Sequence, residues 1–192
     1  MLEIEQKFAR ADFALLERRL MEWGAALGEV HVEADHYFNA PDRDFAQTDE
    51  AFRLRRIGAA NFLTYKGPKQ RAAVKVRTEL ELSLQPGDEA AADMTRLLTH
   101  LGYRFVALVK KHRRMAPLQR DGFAFTICLD EVEGLGRFAE VEVLAPEDRS
   151  ADAERALAAL AMELGLSDVE KRSYLGLLLT ARSAAGPAEA AS

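Results

Sequence analysis

A chain of 192 residues with 26 Lys+Arg against 31 Asp+Glu carries a net charge of −5, so it is not built to coat a nucleic acid, and it is long enough to bury a substantial core. Its 48% hydrophobic and 30% charged residues are ordinary for a soluble globular domain, and no apolar run approaches a membrane span. The single cysteine, Cys128, excludes an internal disulfide, and the N-terminus lacks a basic-then-apolar leader, so a cytoplasmic protein is expected.

The opening stretch Leu2-Glu3-Ile4-Glu5-Gln6-Lys7-Phe8 alternates as a strand does, with Glu3, Glu5 and Lys7 on one face and Leu2, Ile4 and Phe8 on the other. Helical spacing of Phe13, Leu15, Leu16, Leu20 and Trp23 predicts a helix over Ala11 to Ala26, stopped by Gly28. Val30 to Phe38 alternates again, with Glu33, Asp35 and Tyr37 sharing a face. After a Pro41-Asp42 turn, Ala51 to Arg56 sets Arg53 and Arg55 opposite Phe52 and Leu54. A turn over Gly58 to Asn61 leads into a strand over Phe62 to Lys66, a hairpin that Gly67-Pro68 ends.

Val74 to Leu82 places Lys75, Arg77, Glu79 and Glu81 on one face and Val74, Val76, Leu80 and Leu82 on the other. Pro86-Gly87-Asp88 opens a second helix, with Asp88 as N-cap and Gly102 as C-terminal stop. Three more strands are predicted over Tyr103 to Met115, Phe123 to Asp130 and Arg137 to Leu144. Two closing helices are predicted over Ala151 to Leu164 and Asp168 to Leu179, the second with a Ser167–Glu170 capping box. The chain reads as a single domain over residues 1–180 with a disordered tail over 181–192.

Strand after strand repeats one choice, an apolar face and a face mixing acids with bases. The expected architecture is α+β: eight antiparallel strands closed around a charged, wet interior, with helices packed on the apolar outer faces. Unpaired ions in a dry interior would each cost several kcal/mol, on the order of the penalties known for buried charge. Divalent metal on the acids and a polyanion on the bases would balance such an interior.

Glu3-x-Glu5 and Glu140-x-Glu142 each present two carboxylates on one strand face, a spacing that suits a hard cation, and Asp130 offers a further oxygen. Arg53-x-Arg55, Lys111-x-Arg113, Lys7 and Lys66 offer guanidinium forks and ammonium point charges for phosphate. Any one such pair is better read as a salt bridge on a solvated sheet; the repetition over many strands favours a site. His31, His36, His100 and His112 lack metal-ligand spacing, Cys128 reads as a small lining residue, Gly134 and Gly136 read as a tight hairpin, and Leu97, Leu98 and Leu101 read as helix packing.

The Glu3-x-Glu5-x-Lys7 opening, Phe52-Arg53-Leu54-Arg55 and Leu63-Thr64-Tyr65-Lys66-Gly67-Pro68 resemble the CYTH superfamily, named for class IV adenylate cyclases and thiamine triphosphatases and also called triphosphate tunnel metalloenzymes. Lys111-x-Arg113, the run Leu129 to Glu142 and Arg172-Ser173-Tyr174 look most like the class IV adenylate cyclase branch, and the match extends from Leu2 to Leu179. The resemblance implies an eight-stranded tunnel holding Mg2+ or Mn2+ on Glu3, Glu5, Asp130, Glu140 and Glu142. It implies triphosphate on Lys7, Arg53, Arg55, Lys66, Lys111 and Arg113, with Arg53, Arg55 and Lys66 as catalytic residues. Lys75 and Arg77 match a looser stretch, and Tyr37 a common second-strand pattern.

In that branch ATP is cyclised to cyclic AMP with loss of pyrophosphate. The alternative is hydrolysis of inorganic, nucleoside or thiamine triphosphate, and a further alternative is a non-catalytic polyphosphate- or nucleotide-binding module. Class IV cyclases carry a His-Phe pair shortly before the first Glu-x-Glu-x-Lys; the sequence here starts at Met1-Leu2, which favours hydrolysis. The partner is expected to be ATP, thiamine triphosphate or tripolyphosphate, with neither nucleic acid nor membrane involved; oligomeric state is left open.

Overall fold

The computed structural model describes residues 2–68 and 78–184. Eight antiparallel strands and five helices follow in the order β1 (Leu2–Ala9), α1 (Phe13–Glu22), β2 (His31–Asn39), α2 (Phe45–Thr48), β3 (Ala51–Ile57), β4 (Ala60–Lys66), β5 (Glu79–Leu84), α3 (Asp88–His100), β6 (Arg104–Arg120), β7 (Phe123–Val132), β8 (Gly136–Ala145), α4 (Ser150–Glu163) and α5 (Tyr174–Ala184). Ladder neighbours run β1-β8-β7-β6-β2-β3-β4-β5, so the expected eight-stranded antiparallel α+β fold is present. Contacts divide the chain into two compact units, one holding residues up to His31 with Lys111–Ser173, the other Val32–Lys110 with the residues from Tyr174 on.

In the first unit the alternation predicted from sequence has a direct packing reason. Ile4 and Phe8 of β1, Ala139, Val141 and Val143 of β8, Phe125, Ile127 and Leu129 of β7 and Ala116 and Leu118 of β6 meet Leu16 and Leu20 of α1 and Leu157 and Leu160 of α4 in one apolar cluster. Their neighbours in sequence are thereby turned to the opposite face, which carries Glu5, Lys7, Glu140, Glu142, Asp130 and Arg113. β1 pairs with β8 from Leu2↔Ala145 to Ala9↔Phe138, which sets Glu5 opposite Glu142 and Lys7 opposite Glu140.

The second unit repeats the arrangement on a smaller core. Phe38, Leu54, Ala91 and Leu98 cluster with Phe52, Leu63, Leu84 and Tyr103, so α3 covers the apolar face of β2, β3 and β4. The β3–β4 hairpin turns on Gly58 and Ala59 alone, tighter than predicted, because Gly58 supplies the left-handed φ of 57° that a two-residue loop needs. The opposite face carries Glu33, Asp35, Tyr37, Arg53, Arg55, Thr64 and Lys66.

Several element boundaries differ from expectation. α1 starts late, because Asp12 caps it by accepting from Leu15 N at 3.2 Å, and stops at Trp23, before Gly24, rather than at Gly28. Gly28 instead donates to Met115 O at 2.8 Å. Gly87, not Asp88, is the N-cap of α3: its φ of 101° excludes a side chain there, and Asp88 begins the helix and pairs with Arg56. β6 runs on through Pro117, which pairs with Thr126 of β7. A short α2 and a single 3-10 turn over Glu147–Arg149 went unpredicted, each too brief to show periodicity.

The last helix is the largest correction. Residues 168–170 are extended against the outer edge of β1, with Ala9 N donating to Asp168 O and Glu170 N to Lys7 O, both at 2.8 Å. Glu170 accepts from Arg172 instead of closing a capping box with Ser167, so α5 begins only at Tyr174. It continues through Ala184, into the stretch expected to be tail; residues 185–192 lie outside the described ones. Of the predicted strand Val74 to Leu82, Val74 to Arg77 also lie outside the described residues, while Leu80 and Leu82 are exposed rather than covered. Leu97 and Leu101 are exposed too, and only Leu98 of that stripe packs inward. Among the described residues no helix is long and apolar enough to cross a membrane.

Candidate functional site

Three carboxylates of the first unit converge. One oxygen each from Glu3, Glu5 and Glu142 lies within 4.8 Å of the other two. The register explains this: Glu3 and Glu5 share a face of β1, and Glu142 sits directly across from Glu5 on β8. The surrounding protein strips part of the hydration from Glu5, and repulsion from Glu140 and Glu142 adds to it, raising its carboxyl to about 7 although the side chain still reaches water. Partial burial, opposed by Arg113, likewise raises Glu142. Carboxylates forced together against their own repulsion fit a hard divalent cation, which needs clustered oxygens and relieves that charge.

The remaining acids expected on the metal are engaged differently. Asp130 is fully buried, and Arg113, directly opposite on β6, donates Nε to its Oδ1 at 2.6 Å and Nη2 to its Oδ2 at 2.5 Å; Lys111 Nζ lies 3.6 Å from Oδ2. Glu140 accepts from Arg113 and from Lys7 Nζ at 3.4 Å. Burial would raise Glu140, but Arg113, Lys111 and Lys7 outweigh it and hold the carboxyl low. Arg113, itself penalised by burial, is kept charged by Asp130 and Glu140. Cys128 Sγ is 3.8 Å from Glu142 Oε1; burial pushes its thiol well above the ordinary range, so it is an inert lining residue as expected.

The second unit holds the other predicted bases. Arg55 donates Nε to Asp35 Oδ1 at 2.7 Å and Nη2 to Asp35 Oδ2 at 2.8 Å, and Arg53 Nη1 reaches Asp35 Oδ2 at 3.2 Å. Lys66 Nζ lies 2.8 Å from Glu79, and Thr64 donates to Glu81 at 2.9 Å. Lys75 and Arg77 lie outside the described residues. Sequence reasoning put Glu33 and Asp35 on one strand face yet left them out of the site. The signal available was their alternation with the apolar Val32, Ala34 and Phe38; that Asp35 stands across from Arg55 of β3 is set by register, which the sequence does not show.

The sequence profile of the CYTH domain matches residues 1–174. A Methanocaldococcus jannaschii protein provisionally named an adenylate cyclase is 31% identical over 180 residues, covering 92% of this chain and 98% of the relative. The adenylate cyclase CyaB of Aeromonas hydrophila is 28% identical over 151 residues, 76% of this chain and 72% of that one. Among solved structures, PH1819 of Pyrococcus horikoshii is 36% identical and superposes with a TM-score of 0.77, covering 93% of this chain and 99% of its own. With a domain profile matched over most of its length and an archaeal relative aligned almost end to end, the chain belongs to the CYTH family.

Proposed function

We propose that the protein is a divalent-metal-dependent enzyme that acts on a triphosphate, converting ATP to cyclic AMP and pyrophosphate, and that residues 1–180 work as one catalytic domain in the cytoplasm. What supports this most is the trio Glu3, Glu5 and Glu142 beside the cationic Lys7, Lys111 and Arg113. The relatives named adenylate cyclases support the choice of ATP.

On this reading Glu3, Glu5 and Glu142 hold Mg2+ or Mn2+, with Glu140 and Asp130 beside them. The cation supplies charge neutralisation at phosphate oxygens. Lys7, Arg53, Arg55, Lys66, Lys111 and Arg113 are assigned to binding and orienting the triphosphate, as the sequence resemblance implies, with Lys75 and Arg77 assigned to it from sequence alone. In cyclisation the 3′-oxygen of ATP forms a bond to the α-phosphorus while the bond from that phosphorus to pyrophosphate breaks, and the hydroxyl proton passes to water. Negative charge grows on the leaving pyrophosphate, and fixed ammonium and guanidinium groups stabilise it at no reorganisation cost.

The test is a product assay with ATP and Mg2+ or Mn2+ that separates cyclic AMP and pyrophosphate from ADP and phosphate. Cyclic AMP supports the proposal. ADP with phosphate replaces it by a triphosphatase, because the same groups serve water attacking the terminal phosphorus. Binding of ATP, thiamine triphosphate or tripolyphosphate without any product leaves a binding module.

A further inference from the structure

The two arginines facing Asp35 are not held alike. Arg55 is gripped by a fork, two short bonds at 2.7 and 2.8 Å to the two oxygens of Asp35, and its Nη2 also lies 3.2 Å from Glu33. Arg53 shares one of those oxygens through a single contact of 3.2 Å and reaches the Tyr37 hydroxyl only at 3.4 Å. Its Nε is buried with no acceptor. A forked carboxylate–guanidinium pair is rigid and largely neutralised, whereas a buried donor without an acceptor leaves its side chain something to gain by turning. Register builds the difference in: Asp35 lies directly across from Arg55, and the phenol of Tyr37 lies across from Arg53. Asp35 itself is only 3% exposed, so it meets its arginines rather than water.

We propose that Asp35 is a positioning residue that ties Arg55 down as a fixed cation and leaves Arg53 as the guanidinium that turns onto an arriving phosphate. This rests on the reading of the protein as a triphosphate enzyme. Asp35 touches no substrate; it acts through the arginines. Its carboxylate also tempers the ground-state attraction of this face for anions, so that binding energy is realised as charge develops in the reaction.

The experiment uses the full chain with Mg2+, a bis-methylene triphosphate whose P–C bonds neither reaction breaks for affinity, and ATP for turnover. Asp35→Asn is expected to lower the Kd for the analogue by about threefold or more while kcat falls by about tenfold or more. A merely structural loss would not tighten binding. Values within about twofold of the parent, or a Kd that rises in step with the loss of kcat, overturn the inference. Should Asp35→Asn not fold, Arg53→Lys and Arg55→Lys carry the test. Arg53→Lys is expected to raise Kd about tenfold and Arg55→Lys less than about threefold, with the larger drop in melting temperature in Arg55→Lys; equal effects on Kd overturn it. Parent protein that neither binds the analogue nor turns over ATP removes the functional reading, and this inference with it, before any variant is compared.

Discussion

Arg113 and Asp130 stand directly opposite each other on β6 and β7 and share two hydrogen bonds of 2.6 and 2.5 Å, with 8% of the arginine side chain and none of the aspartate side chain exposed. Removing one member leaves a buried charge without its partner. Asp130→Ala is therefore expected to cost about 3 kcal/mol of unfolding free energy, at the lower end for broken buried pairs because Glu140 still accepts from Arg113. Urea denaturation of the apo protein measures it, and a loss under about 1 kcal/mol would mean the pair contributes little to folding.

Metal binding is predicted to follow the acidic trio. Glu142→Gln should weaken Mn2+ binding at least about tenfold by calorimetry while the melting temperature of the apo protein holds or rises, since one of three mutually repelling carboxylates is gone. An unchanged affinity would move the metal elsewhere.

Turnover should depend on Lys66 and Glu140. Lys66→Ala and Glu140→Gln are each expected to lower kcat/KM by about a hundredfold, equivalent to about 2.7 kcal/mol of transition-state stabilisation, with circular dichroism unchanged. Near-parental rates in both would show that the reacting phosphates lie elsewhere. Saturating metal with triphosphate should also raise the melting temperature, since ligand binds only the folded chain.

Acid stability should report on Glu50. Its carboxylate accepts from Arg43 at 2.8 and 2.9 Å and from Thr48 and Tyr65 at 2.5 Å each, joining the α2 segment to β4. The Arg43 hydrogen bonds foremost hold it down at about 2, below its ordinary 4.5. A folded-state pKa below the unfolded one contributes stability that is fully present above the unfolded value and is lost as pH falls through the folded one. Melting temperature should thus drop between about pH 4.5 and 2 more steeply in the parent than in Glu50→Gln; parallel curves would refute the role of this carboxylate.

The period-two faces were legible because one physical demand writes most of them: a strand that presents apolar residues to a helix has its charged face fixed by exclusion, and β5, whose Leu80 and Leu82 are exposed, is the exception. Glu3, Glu5, Lys7, Arg53, Arg55, Glu140 and Glu142 follow from that rule alone. Which carboxylates cluster and which are tied to bases was not legible, because it depends on cross-strand register, and no local pattern says that Glu142 faces Glu5 while Asp130 faces Arg113. The misplaced start of α5 has the same origin. Ser167 and Glu170 carry the spacing of a capping box, but a long-range backbone pairing with Lys7 and Ala9 overrides that local preference.

That pairing sets the order in which the molecule can be made. β1 has its ladder partner at residues 138–145 and its edge cover at 168–170. Contacts this distant in sequence form late and slowly, so during synthesis Glu3 and Glu5 wait as an unpaired segment until β8 has emerged. The three carboxylates can therefore meet only after Glu142 has been made, and a nascent chain stalled before it lacks the third of them.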